Sequence, residues 1–121
     1  MLAIKNKKEK LVRKEKKLII KVDVTFGADG IKADPDPVQV KKGTRPDIKW
    51  HIKTPGWKFP ANGIAIDDNA NVFINPGREK EYKVFRWTDL NPERQRYTYR
   101  INLTNGKTYA SRDPGIGNGG R

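Results

Sequence analysis

The chain has 121 residues, a formal net charge of +12, 33% charged and 35% hydrophobic side chains, and no cysteine. The missing thiols exclude disulfides, iron–sulfur clusters, thiolate zinc sites and cysteine nucleophiles, and no run approaches the roughly 18 apolar residues that cross a bilayer as a helix. Four Phe, four Tyr and three Trp exclude wholesale disorder, because disordered chains are poor in aromatics.

Residues 1–17 carry Lys5, Lys7, Lys8, Lys10, Arg13, Lys14, Lys16 and Lys17 against only Glu9 and Glu15, so half of the excess charge sits in this short segment. Ile4, Leu11 and Leu18 recur at heptad spacing without a second apolar row beside them. That stripe is too narrow to hold a helix on a core. The segment reads as a basic arm, flexible or helical. No apolar stretch follows the positive charge, so a cleaved signal peptide is not expected and the cytoplasm is the default location.

Leu18, Ile20, Val22, Val24 and Phe26 alternate with polar residues, the period-2 signature of a half-buried strand. Gly27 to Gly30 supplies a turn and Ile31-Lys32-Ala33 a short extension. Asp34-Pro35-Asp36-Pro37 predicts an edge kink, since each proline removes a ladder donor. Val38 and Val40 follow, then a turn at Lys41-Lys42-Gly43, then Ile48, Trp50 and Ile52 facing inward with Lys49, His51 and Lys53 facing outward. The Pro/Gly-rich stretch from Thr54 to Gly63 holds Trp57 and Phe59, which read as a lid folded back on the core. Ile64 to Ile66 and Val72 to Ile74 predict short strands, with a firm turn at Asn75-Pro76-Gly77. Tyr82 to Trp87 predicts another strand, and Tyr97, Tyr99, Ile101 and Leu103 alternate along the next. Asn105-Gly106 predicts a type I′ hairpin turn onto Lys107 to Ser111.

About eight short strands with turn signals every 8–12 residues predict an all-β protein. The expected architecture is an antiparallel Greek-key β-sandwich over residues 18–116. The basic arm precedes it, and a disordered glycine-rich tail, residues 117–121, follows it.

The opening alternating strand, the Gly-x-x-Gly-Ile turn, Pro37-Val-Gln-Val-Lys-Lys-Gly43 and Asp47-Ile-Lys-Trp-His-Ile52 together resemble the first half of cupredoxins, the plastocyanin-like sandwiches. The run from Asp34 to Asn118, with its closing Asp113-Pro114-Gly115-Ile116, is similar to small bacterial plastocyanin-like proteins. The resemblance implies the sandwich fold but no copper function. A type 1 copper site takes two His and a Cys, with a weak axial Met. This chain has a single His, His51, no Cys, and its one Met at position 1. No cofactor or metal is expected.

Other chemistry is equally thin. Asp67-Asp68-Asn69-Ala70-Asn71 starts like a calcium loop, but Val72 stands where glycine is required and Arg78 where the bidentate glutamate belongs. Asp34, Asp36 and Asp113 neighbour prolines and read as turn formers rather than an acid–base pair. One histidine in a strand supports no catalytic triad, so the chain is not expected to be an enzyme. The remaining signal is basic charge interleaved with aromatics. The arm lysines and arginines, together with Arg86, Arg94, Arg96 and Arg100, are candidates for contact with nucleic acid or another polyanion, and Trp57 and Trp87 are candidates for base stacking. The alternative is a structural protein of a virion or multi-subunit complex, or a homo-oligomer, whose arm reaches across a neighbour.

Overall fold

Alternation makes the first strand. In the computed structural model, which describes residues 18–68 and 71–120, β1 (Ile19–Gly27) buries Val22 and Val24 completely and exposes Lys21 and Thr25. Leu18 precedes the strand and is exposed rather than inward-facing. The basic arm, residues 1–17, lies outside the described residues.

Nine more strands follow: β2 (Gly30–Asp34), β3 (Val38–Lys41), β4 (Asp47–Ile52), β5 (Ile64–Ile66), β6 (Phe73–Glu79), β7 (Val84–Asp89), β8 (Gln95–Thr104), β9 (Tyr109–Arg112) and β10 (Gly115–Gly120). The described residues contain no helix. One five-stranded sheet has the order β2-β1-β4-β7-β6; the other has the order β3-β10-β8-β5, with β9 also paired to β8. Their inner faces share one core, in a sandwich-like arrangement. Val22, Trp50 and Phe85 come from the first sheet, and Val38, Tyr99, Ile101 and Ile116 from the second.

The sheets are mixed, not purely antiparallel as expected. β1 runs parallel to β4, and β10 runs parallel to β3. Parallel neighbours need a crossover between them. The chain supplies one by leaving the first sheet after β2, adding β3 to the second, and returning as β4.

Three local expectations are corrected. Asn75-Pro76-Gly77 is not a turn: β6 runs through it, with a register shift between Ile74 and Gly77. A proline and a bulge are tolerated there because β6 is a sheet edge. The reversal comes later, at Lys80, Glu81 and Tyr82, all at positive φ, so β7 starts at Val84. The β8–β9 hairpin pairs Thr104 with Tyr109 and bonds Asn105 to Thr108, which leaves Gly106 and Lys107 as its central residues. Only Gly106 takes positive φ, whereas a type I′ turn needs it at both central residues, and the Asn105 side chain accepts bonds from the Lys107 and Thr108 amides.

The third correction concerns the tail. Residues 115–120 are strand β10, held between β3 and β8, with Ile116 and Asn118 buried. Glycine content suggested disorder, but ladder bonds on both sides decide the outcome.

Candidate polyanion-binding groove

Because β10 turns Ile116 and Asn118 inward, its outward positions are Gly115 and Gly117. Gly117 pairs with Gln39 of β3 on one side and Arg96 of β8 on the other, while Gly115 pairs with Thr98 and lies against Pro37. A central strand without side chains between two side-chain-bearing strands makes a trough. The result is an open groove of about 910 Å³, lined among others by Gln39, Asp67, Arg94, Arg96, Thr98 and Gly117. The Gln39 amide lies over Gly117, so that a Cβ added there would be 3.1 Å from its Oε1. Arg94 stands beside Gly119 at the end of β10. The lining therefore combines two arginines, the Asp67 carboxylate, an amide and a hydroxyl over a floor of glycine backbone, with a net positive charge.

The four body arginines singled out in the sequence are not brought together. Arg94 and Arg96 are exposed, line the groove, and make no ion pair among the described residues. Arg100 lies further along β8, but its guanidinium bonds both oxygens of Asp113, at 2.9 and 3.3 Å. Arg86 is on the opposite sheet, where it and Lys49 share the Glu79 carboxylate. Those two cations hold Glu79 below its usual range despite the opposing effect of burial.

Trp57 and Trp87 pack against the core and are half-buried. Trp57 meets Phe26 edge-on at 4.6 Å between centroids, and the Trp87 indole donates to the Ile64 carbonyl at 2.8 Å. Neither lines the groove.

His51 faces outward from the first sheet, as alternation predicts, opposite Asp23 of β1. Burial lowers its pKa first, and Lys21 and Lys53 lower it further, with Asp23 opposing and Lys49 adding to the depression. The proline-flanked carboxylates serve local contacts. Asp113 pairs with Arg100, and Asp36 accepts a bond from the Gly115 amide at 3.3 Å. Asp68 accepts from the Phe73 amide at 2.8 Å, five residues on, which closes the loop before β6. Asn69 and Ala70 of the calcium-like run lie outside the described residues.

A polar cluster escaped sequence reasoning. Asp89, Asn91 and Asn118 are all buried where β7 ends. The Asn118 amide donates to Asp89 Oδ1 at 2.9 Å, linking the two sheets, and the Asn91 backbone N–H donates to the same oxygen at 2.9 Å. Burial pushes the Asp89 carboxyl up to about 6, and the Asp68 charge acts in the same direction, against the lowering effect of the two hydrogen bonds. The available signal was an Asp closing an inward-facing alternation of Phe85 and Trp87.

The chain matches no family model and no curated protein. Among the described residues, no three His, Cys, Asp or Glu side chains are grouped so as to hold a metal ion, and no helix is long and apolar enough to cross a membrane.

Proposed function

We propose that this chain is a non-catalytic binding module that contacts nucleic acid or another polyanion through the groove of the second sheet and the basic residues 1–17. Its scaffold in this reading is a cupredoxin-like Greek-key sandwich without copper, adapted to display charge. The observation that carries the reading is the pair Arg94 and Arg96, which line an open groove and make no ion pair among the described residues, with Asp67 the one carboxylate in the lining, while Arg86 and Arg100 are ion-paired with Glu79 and Asp113. Free cations beside a glycine floor let a phosphate backbone approach the sheet closely. Binding of this kind is dominated by counterion release and falls steeply with salt.

Fluorescence anisotropy with labelled single- and double-stranded DNA and RNA tests it. The full chain is expected to bind at about 50 mM salt without sequence preference. The double substitution Arg94→Glu/Arg96→Glu is expected to weaken binding about tenfold or more and to flatten the salt slope by about two charges. No binding at low salt, or equal binding by the double variant and by a chain lacking residues 1–17, refutes the proposal.

A further inference from the structure

The polar cluster at the end of β7 is not needed for polyanion contact, and its hydrogen bonding is unbalanced. Asp89 is 0% exposed, Asn118 3% and Asn91 8%. The Asn91 amide nitrogen donates to the carbonyls of Lys41 and Thr44, both at 2.9 Å, which fixes its orientation because only the nitrogen can face two carbonyls. The Asn118 nitrogen is fixed in the same way by Asp89 Oδ1. Three oxygens are left over: Asp89 Oδ2, Asn91 Oδ1 and Asn118 Oδ1. All are shielded from solvent, and none receives a hydrogen bond from the described residues.

Native interiors satisfy nearly all buried polar atoms, so a cluster of orphans calls for a specific partner. Each orphan here is an acceptor and one belongs to a carboxylate. The deficit is therefore of positive charge as well as of donors. A single water can donate to only two of the three. The set contains neither imidazole nor thiolate, which disfavours zinc and copper. A carboxylate with neutral carbonyl oxygens is the ligand chemistry of hard cations, and calcium accepts such sets with water completing its shell. The Asp68 carboxylate, close enough to act on both Asp89 and Tyr97, adds negative potential to the same region.

We propose that Asp89, Asn91 and Asn118 form a binding site for a hard, oxygen-seeking cation of the calcium class. Such an ion bridges the end of β7, the β7–β8 loop and β10, and so staples one sheet to the other. Its role is structural, and it holds in place the strand that floors the groove.

Thermal unfolding of the full chain tests this. The chelator-treated protein is titrated separately with calcium, magnesium and sodium chlorides at constant ionic strength. Calcium in hundredfold excess over its Kd is expected to raise Tm by about 5 °C or more, with magnesium and sodium acting less. Asp89→Asn keeps the acceptor for Asn118 and removes the charge, and is expected to abolish the calcium response. Asn118→Asp adds a second carboxylate and is expected to shift the calcium midpoint at least tenfold lower, so that folding itself becomes calcium-dependent. Terbium luminescence sensitised by Tyr97, displaced by calcium in the unsubstituted chain and missing in Asp89→Asn, supplies a readout independent of stability. A Tm indifferent to all three cations overturns the proposal and assigns the oxygens to buried water. A calcium response equal in Asp89→Asn overturns it in favour of adventitious binding at surface carboxylates.

Discussion

The Trp50 indole N–H donates to the Tyr99 hydroxyl at 3.0 Å across the middle of the sandwich, joining β4 of one sheet to β8 of the other. Both side chains are almost fully buried, and their rings lie 5.2 Å apart. The bond relieves each of a polar atom that has no access to water. Tyr99→Phe leaves the indole donor unsatisfied and is expected to destabilise the protein by about 1–3 kcal/mol. Urea denaturation followed by circular dichroism measures this. If the bond is the cause, the Trp50→Phe/Tyr99→Phe double variant loses less than the sum of the single variants.

Asp89 gives stability an unusual pH slope. Its folded pKa of about 6 lies above the ordinary value of 3.8, so the folded state binds more protons between those limits. Stability therefore falls as pH rises from about 4 to about 6 and is level above that. The loss is on the order of 3 kcal/mol. In chelator-containing buffer, the stability of Asp89→Asn relative to the unsubstituted chain is expected to rise by that amount between pH 4 and pH 7. A constant difference contradicts this.

His51 works with the opposite sign. Its pKa is lowered by burial, Lys21 and Lys53, so the unfolded chain takes up its proton first as the pH falls. The contribution of His51 is present above the unfolded value of about 6.5 and is lost as the pH drops through the lowered folded value. An NMR titration of the imidazole is expected to give a midpoint below 6.5, rising in Lys21→Ala or Lys53→Ala and falling in Asp23→Asn.

Two glycines at positive φ predict different penalties. At Gly119, φ is +70° and an added Cβ would sit 2.6 Å from Arg94 Cα, a backbone atom that cannot step aside. At Gly106, φ is +92° with nothing within 4 Å. Gly106→Ala is expected to cost about 1 kcal/mol, from backbone conformation alone, and Gly119→Ala at least twice that. Equal losses in thermal unfolding are the contrary result.

Much of the all-β character was legible along the chain. Val22 and Val24, Ile48, Trp50 and Ile52, and Tyr97, Tyr99, Ile101 and Leu103 all face the core as alternation predicts, and His51 faces away from it. Alternation is a local property, since successive side chains of any extended segment point to opposite faces. The groove was half legible. Arg94 and Arg96 were singled out, but Arg86 and Arg100 could not be separated from them, because Glu79 and Asp113 neutralise those two through contacts 7 and 13 residues distant in the chain.

The sequence by itself determined that the body is built of strands, that their alternating apolar side chains for the most part enter the core, and that thiolate and type 1 copper chemistry are ruled out by residue inventory. Those conclusions depend on periodicity and composition, which are properties of neighbours along the chain. Tertiary structure alone decided the parallel pairings, the ordering of Gly115–Gly120 as a strand, and the meeting of Asp89 with Asn118. Each rests on contacts between segments far apart in sequence. For β10, glycine's weak local preference is overruled by hydrogen bonds from β3 and β8 on its two sides, and the strand that resembled a loose tail becomes the floor of the groove.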